Sequence, residues 1–433
     1  MRLRMRGLFA AGLLLLAAPA EAAPEIVEVT SPGGITAWLA EDHTVPIVAL
    51  DADVLGGTAL DPEGREGVMA LMAGLLTEGA GEREATAFAA AAGEIGAGFS
   101  LDAGRDAIHI SAQMLAESTG PAVALLADAL QAPRFDAEPF ARVRNAMQAN
   151  LAQEALDPDS VASRAAAAAL FPDHPYGRSP TPASLDAIGA ADLRAAWRSG
   201  LVRDRLTVAV AGAISPEALA PLLDRLFAEL PLSDRPLPGP VVPRLGGGVA
   251  VVGMDAPQSV IRFAQPGIAL DDPDLLPAMV LDQIVGGGFG SRLTSELRER
   301  RGLTYGVATW LDTDPRAPLY AGGLSTANGT AAEAVRLVRE AFARIAADGV
   351  TEAELADAKR FLTGAYPLRF VGTEAMAGQL LGIQRAGLGR DYPDRRNALV
   401  EAVTAADVAR VARRIIRPGS LTFLVVGRPE GLE

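Results

Sequence analysis

The 433-residue chain contains no cysteine and only three histidines, His43, His109 and His174. Without cysteine there is no disulfide and no thiolate chemistry, so folding depends on apolar burial, and a zinc site would need histidine and carboxylate ligands. The histidines are widely separated along the chain, so no pair has the spacing of H-E-x-x-H or H-x-x-E-H. We expect His43 at a strand edge, His109 in a strand and His174 in a turn.

The sequence also lacks the motifs of two further classes of enzyme. No G-x-S-x-G elbow of a serine hydrolase is present, although a dispersed Ser-His-Asp set would leave no such signal. The glycine-rich run 286–290 is not followed by the Gly-Lys-Ser/Thr of a phosphate-binding loop, which argues against a nucleotide.

The first residues have the order of a secretory signal. Three arginines precede the apolar run 8–18, and Ala20-Glu21-Ala22 resembles a cleavage site, so we predict a signal peptide over residues 1–22. No later stretch is long and apolar enough to span a bilayer. We therefore expect an exported protein, periplasmic in a bacterium. Its mature net charge would be 36 − 52 = −16, which argues against nucleic acid as a partner.

The chain contains an internal repeat at one constant offset. Asp192 and Asp407 each follow an alanine at a helix start, and the strands ending at Gly212 and Gly427 have similar sequences; 407 − 192 and 427 − 212 are both 215. A capping box, Thr351-Glu-Ala-Glu354, predicts the start of one second-half helix. Similarity over this length at one spacing indicates duplication.

We predict two tandem homologous domains of α+β class, each an antiparallel sheet packed with helices. Residues 231–243 contain five prolines and predict an extended linker. The boundaries we assign are 23–230 for the N-terminal domain, 231–247 for the linker and 248–433 for the C-terminal domain.

Arg298 and Tyr305 are the candidate functional side chains. They follow the glycine-rich run, in a segment with four arginines in an otherwise acidic protein, and arginine can donate in a fixed fork to a carbonyl or carboxylate. The alternative is a solvated helix face on which the arginines pair with Glu296 and Glu299, with Tyr305 as an ordinary strand residue.

These motifs and the two-domain layout resemble the pitrilysin-like, or insulinase-like, zinc peptidase family. The resemblance covers both halves and includes the region 60–79, the turn Phe171–Arg178, the helix start 349–355 and the Arg298–Tyr305 segment. It implies that Arg298 and Tyr305 bind the substrate backbone and stabilise the oxyanion of the tetrahedral intermediate.

The family's catalytic residues are missing. Active members carry H-x-x-E-H on a first-half helix, here expected over residues 67–79, and a further Glu ligand in the same domain. The alignment places Ala70, Ala73 and Gly74 at the motif positions and Asn150 at the third ligand. We expect a shallow surface there, no metal bound by this chain, and no general base.

In heterodimeric relatives the zinc motif and the Arg/Tyr pair are on different subunits. The resemblance therefore implies a non-catalytic, substrate-binding subunit of an exported heterodimeric metallopeptidase that degrades peptides, with zinc on an H-x-x-E-H partner. The alternative is a non-enzymatic peptide-binding or scaffold protein of the same fold, homodimeric or monomeric.

Overall fold

The computed structural model describes residues 25–432, so the predicted signal peptide lies outside the described residues. The elements of the first half are β1 Ile26–Thr30, β2 Thr36–Glu41, β3 Ile47–Leu55, α1 Val68–Leu75, β4 Gly79–Ala80, β5 Arg83–Glu84, α2 Ala85–Glu94, β6 Gly98–Ala103, β7 Ala107–Leu115, α3 Thr119–Gln131, α4 Ala137–Glu154, α5 Pro158–Leu170, α6 Pro182–Asp186, α7 Ala190–Gly200, β8 Leu206–Gly212 and α8 Pro216–Phe227.

The second half repeats this order after residues 228–248, a described stretch with no helix or strand. Its elements are β9 Val249–Gly253, β10 Gln258–Pro266, α9 Leu275–Val285, a π-helix Thr294–Arg300, β11 Val307–Asp312, β12 Leu319–Ala327, α10 Ala331–Asp348, α11 Glu352–Ala365, α12 Thr373–Arg385, α13 Tyr392–Ala402, α14 Ala405–Ile415 and β13 Thr422–Gly427. The predicted α+β class is confirmed.

The strand orders confirm the internal duplication. The first sheet runs β1-β2-β8-β3-β7-β6 and the second β9-β13-β10-β12-β11, so the five strands after β1 match one for one. The starts of three helix pairs keep the sequence offset, since 352 − 137, 373 − 158 and 405 − 190 are all 215. The predicted capping box at Thr351 is also present, with Thr351 and Glu354 each bonding the other's backbone N–H.

Neither sheet is purely antiparallel, which corrects our prediction. β8 is parallel to β2, and β13 is parallel to β9. The short connection 42–46 reverses the chain between β2 and β3, and β8 lies between these two strands. A strand inserted between two neighbours that run in opposite directions must be parallel to one of them.

Each half supplies a helix that packs on the other half's sheet. The alanine-rich α5 lies on the second sheet, and α12 lies on the first; the buried contacts are Ala162 with Val260, Leu424 and Val426, and Ala377, Leu380 and Leu381 with Ala40, Ala49, Ala209 and Ala211. The other face of each sheet packs against its own helices in a separate apolar core. This exchange makes burial of apolar surface in one half depend on the other.

An ion cluster also joins the halves, and we call it the interdomain cluster. Asp106 accepts from the Tyr176 hydroxyl at 2.5 Å and from the Arg105 Nε at 2.7 Å. From the second half, Arg316 lies 2.8 Å from Asp106, and Asp312 accepts from Arg105 at 3.2 Å. The Arg105 guanidinium also lies 4.3 Å from the centre of the Tyr176 ring.

A histidine and two aspartates lie on the face of the first sheet that α12 covers. The His109 Nδ1 is 2.9 Å from the Asp53 Oδ1, and Arg385 of α12 donates to the Asp53 Oδ2 at 2.5 Å. The hydrogen bond to Asp53 raises the pKa of His109 above its ordinary value. Burial alone would raise the pKa of Asp53, but the His109 bond and the Arg385 charge outweigh it, so that pKa is lowered. Burial raises the pKa of the adjacent Asp51.

These pKa directions predict a loss of stability as the solution becomes alkaline. Because the folded-state pKa of His109 is raised, its contribution is full below its unfolded pKa of about 6.5 and is lost as pH rises through the folded value. The lowered pKa of Asp53 affects stability only in acid. Its contribution is present above about pH 3.9 and is lost as the pH falls below that value. The raised pKa of Asp51 also lowers stability on raising pH, beginning above its unfolded pKa of about 3.9.

The measurement is the urea midpoint from about pH 5 to about pH 9 for the wild type and His109→Gln. We expect the variant to lose the part of the slope above about pH 6.5. His43→Gln is the matched control, since the His43 side chain is 62% exposed and, in the described chain, pairs only with Glu41 beside it. An alkaline slope in His109→Gln equal to that of His43→Gln would contradict the assignment.

Candidate functional site

The glycine-rich run begins where α9 ends and is held against β11. Gly286 and Gly287 donate to the Asp282 carbonyl at 3.0 and 2.8 Å, and the backbone N–H of Thr309 in β11 donates to the Gly286 carbonyl at 3.3 Å. A Cβ on Gly286 would lie 2.6 Å from the Thr309 Oγ1, so this close approach requires glycine. The next part of the run is open to solvent, and the Phe289 ring is 80% exposed.

A buried carboxyl lies beneath this loop. The Thr309 hydroxyl donates to the Asp282 carboxylate at 2.5 Å. Burial raises the pKa of Asp282 to about 6, although the hydrogen bond from Thr309 opposes the shift. The loop's first residues are therefore fixed by both backbone and side-chain bonds.

Three of the four arginines in this segment have structural partners. Arg292 donates to Glu354 at 2.6 Å, and Arg300 and Arg301 lie 3.0 and 3.2 Å from Glu296. For these three the solvated or paired alternative is correct. The predicted pairing with Glu299 is not seen among the described residues.

Arg298 differs from its neighbours. Within residues 25–432 its guanidinium has no ion pair or hydrogen bond, and it lies 5.4 Å from the centre of the exposed Phe289 ring. A cation–π contact at an exposed site is worth about 0.5–1 kcal/mol, enough to bias the side chain but not to satisfy its donors. All its N–H groups remain available to a ligand.

Tyr305 is displayed by a fixed bend just before β11. The Thr304 hydroxyl donates to the Gly306 carbonyl at 2.8 Å and accepts from the Gly306 N–H at 3.1 Å, while Thr326 donates to the Leu303 carbonyl at 2.6 Å. Thr304 is 8% exposed, whereas Tyr305 is 90% exposed. Tyr305 is therefore not an ordinary strand residue.

The positions that the resemblance aligns with the zinc site of active relatives carry few ligand atoms in this chain. Ala70, Ala73 and Gly74 offer no side-chain ligand atom, and only the exposed Asn150 on α4 has a polar group. No group of three His, Asp or Glu side chains suited to a metal occurs within residues 25–432. In that part of the chain Asn150 therefore has no ligand set to join.

The helix that carries these positions is shorter than predicted. It spans Val68–Leu75 rather than 67–79, because Gly67 starts it at φ 98° and the chain then turns into the short strand at Gly79. Ala70 is half-buried, Ala73 buried and Gly74 exposed, so the three do not share one open surface.

Sequence reasoning missed two residues of this site. Asp61 caps α1 from outside the helix by accepting from the Gly67 and Met69 N–H groups at 2.7 and 2.9 Å. Burial raises the pKa of Asp61 to about 6, against the effect of those two bonds. Phe289 is the other, and a lone aromatic within a glycine run was a usable signal for it.

The fold and this site define a two-lobed, peptidase-like protein without metal ligands at the family's positions. Residues 36–181 match the sequence profile described as "Insulinase (Peptidase family M16)", and residues 187–362 match "Peptidase M16 inactive domain". The chain belongs to the M16 peptidase family, and its sequence contains no H-x-x-E-H motif. The suspected resemblance is thereby confirmed.

Similar proteins carry different names. The "Non-peptidase homolog YmxG" of Helicobacter pylori is 27% identical over 332 residues, which are 76% of this chain and 77% of that protein. An "Uncharacterized zinc protease" of Mycobacterium tuberculosis is 28% identical over 412 residues, 89% of this chain and 90% of the relative.

A solved structure of a "peptidase M16 inactive domain" from Pseudomonas fluorescens has a TM-score of 0.86 at 26% identity, covering 94% of this chain and 100% of that one. Since two relatives differ in the activity their names imply, the residues of this chain must decide the matter.

No helix within residues 25–432 has the length and apolar character needed to cross a bilayer.

Proposed function

We propose that this chain is the non-catalytic, substrate-binding subunit of an exported heterodimeric zinc metallopeptidase that degrades peptides. Arg298 and Tyr305 contact the substrate backbone, and the zinc and general base belong to a homologous H-x-x-E-H partner. The chain binds no metal itself. We also propose the assigned domain boundaries, the signal peptide and a periplasmic location.

The availability of Arg298 carries this proposal. Three arginines around it are engaged in ion pairs, whereas Arg298 has none among the described residues and lies beside exposed Phe289. Tyr305, also exposed, follows on the same segment. Such a set of free donors supports binding of peptide carbonyl groups, since guanidinium donors are well placed to bond carbonyl and carboxylate oxygens.

The test is reconstitution from two purified chains. Alone, this chain should contain no zinc by metal analysis and should not cleave a quenched fluorescent peptide. Mixed with an exported H-x-x-E-H homologue of similar length, it should form a heterodimer and raise cleavage well above that of the partner alone. The partner with its motif glutamate replaced by glutamine is the control for contaminating peptidases.

Two results would overturn the proposal. One is tight zinc binding or cleavage by the pure chain. The other is peptide binding without any gain in cleavage on mixing, which would favour the non-enzymatic peptide-binding or scaffold alternative. N-terminal sequencing of the chain from a periplasmic extract tests the export step separately.

A further inference from the structure

The face of the second sheet that α5 partly covers contains an apolar pocket. Thr422, Ala264, Ala321 and Trp310 are successive cross-strand partners on β13, β10, β12 and β11. The two alanines between larger side chains leave a cavity of about 240 Å³. Trp310 forms one wall and is 44% exposed.

The roof of this cavity comes from the first half. Ala166 and Ala167 of α5 line the cavity together with the two strand alanines, and the buried Phe171 ring follows at the end of the helix. An apolar cavity of about 150 Å³ already accommodates benzene. The cavity here therefore has room for one aromatic or long aliphatic side chain.

The charged groups at the two ends of the pocket are already neutralised. Arg262 donates to Asp159 at 2.5 Å, and Arg105 lies 3.2 Å from Asp312. Each arginine is compensated by a carboxylate, so the pocket selects for apolar volume rather than for an anion.

A second cavity, which includes Tyr305, adjoins the pocket at Arg262. The row of cross-strand partners next to the pocket is Arg262, Gly323 and Ala308, and a Cβ on Gly323 would lie 2.4 Å from the Arg262 Nη1, so the arginine lies across the glycine. Arg262 lines both the apolar pocket and a second cavity of about 420 Å³ that includes Tyr305. The two cavities are thus neighbours on one sheet face floored by small residues.

The chain between Tyr305 and Trp310 limits the distance between the two sites. They are five positions apart, and the bend at Thr304–Gly306 shortens the path, so their Cα atoms lie no more than roughly 16–17 Å apart. An extended peptide running along this face would span that distance with no more than about five residues.

We propose that the pocket beside Trp310 binds a bulky apolar side chain of an extended peptide, within about five residues of the segment held at Tyr305. The inference rests on the proposed function and specifies its substrate class: peptides with phenylalanine, leucine or methionine at that distance. The pocket would set sequence preference, and the Arg298–Tyr305 pair would bind the backbone.

The test uses the isolated mature chain and two fluorescent peptides that differ only in one residue, Phe or Ser, within a Gly/Ala/Ser background. Fluorescence anisotropy gives their dissociation constants. The Phe peptide should bind roughly ten- to a hundredfold more tightly, as expected for burial of one such side chain. Moving the Phe along the peptide should change the affinity, with one preferred position.

Two variants test the pocket itself. Ala167→Leu should fill the cavity and remove most of the preference for Phe, whereas Ala168→Leu, on the exposed side of the same helix, should keep it. Trp310→Ala opens a wall without adding volume and should also reduce the preference. It serves as the second variant if Ala167→Leu fails to fold.

Tyr305→Ala separates this inference from the proposed function. It should weaken binding of both peptides equally. If Ala167→Leu and Trp310→Ala leave the Phe/Ser ratio unchanged while Tyr305→Ala weakens both, the pocket inference is wrong and the proposed function stands. If Tyr305→Ala has no effect while the pocket variants do, the proposed role of Tyr305 is wrong.

Discussion

Replacing Arg298 with alanine is expected to lower the turnover number of the reconstituted peptidase by about 10²–10³-fold, the usual cost of removing one donor to an oxyanion. The reason is that the Arg298 guanidinium has no structural partner among residues 25–432, so its donors are free to bind charge that develops on the substrate. The measurement is steady-state cleavage by the pair with saturating amounts of this chain.

Arg300→Ala is the matched control for this prediction. Arg300 is two positions away on the same helix, its side chain is 72% exposed, and it pairs with Glu296 at 3.0 Å. Its loss should leave turnover unchanged. A loss confined to the Michaelis constant in Arg298→Ala would indicate ground-state binding only, and equal rates for the two variants would refute the assigned role.

Arg298→Lys refines the same experiment. Lysine keeps the charge but lacks the planar fork, so it should restore little of the rate if two parallel donors are needed. Full recovery with lysine would mean that charge alone is sufficient.

The repeat was visible in the sequence because the later part of each half keeps one offset. From α4 onward three helix pairs start at positions that differ by 215, as 352 − 137 does, but the starts of β7 and β12 give 319 − 107 = 212. The difference arises at α10, which has 18 residues against 13 in α3, while the connection after it is two positions shorter. A gain of five and a loss of two account for the change of three, and a search at one fixed spacing cannot follow it.

The exchange of α5 and α12 could not be predicted. Periodicity shows that a helix has an apolar face, but not which sheet will cover it. The alanine-rich face of α5 fits a close approach to either sheet by composition alone. Its position depends on tertiary geometry, because the turn from Phe171 to Arg178 and the linker place it beside β10 and β13.

The sequence predicts which residue types form the candidate site, but not which contacts they make. The sequence alone does not distinguish the four arginines of this segment from one another. Only the structure distinguishes them, because the partners of Arg292 and Arg301 include Glu354 and Glu333, which are 62 and 32 residues away along the chain. For the same reason the sequence did not indicate the pocket beside Trp310, which is lined by alanines from four separate elements.

The interdomain cluster shows where the charged groups of the two halves depend on each other. Asp106 is its centre, since it accepts from Arg105 and Tyr176 and forms an ion pair with Arg316, while its side chain is only 12% exposed. Asp314 lies beside it, and although burial would raise the pKa of Asp314, its bonds with Arg316 lower that pKa to about 2. The Asp314 carboxylate is therefore charged at neutral pH, and the arginines of the cluster compensate the negative charge.

Asp106→Ala is expected to lower the free energy of unfolding by about 2–3 kcal/mol, because it removes hydrogen bonds to a charged group, which contribute about 1.5–3 kcal/mol each. The change leaves the Tyr176 hydroxyl without its close acceptor and leaves two partly buried arginines with one carboxylate partner each. Because these groups come from both halves, the loss should also reduce cooperativity, so that tryptophan fluorescence and far-UV circular dichroism no longer report one common urea transition.

The control and the double-mutant cycle make this prediction specific. Asp357→Ala removes a carboxylate that is 72% exposed and pairs with Arg360 on the same helix, and it should change stability by no more than about 0.5 kcal/mol. Asp106→Ala and Arg316→Ala combined should cost less than the sum of the two single changes, because each already breaks the contact with the other. Strict additivity would show that the cluster does not couple the halves, and so would a urea midpoint for Asp106→Ala equal to that of Asp357→Ala. The exchange of α5 and α12 would then have to hold the halves together by apolar burial alone.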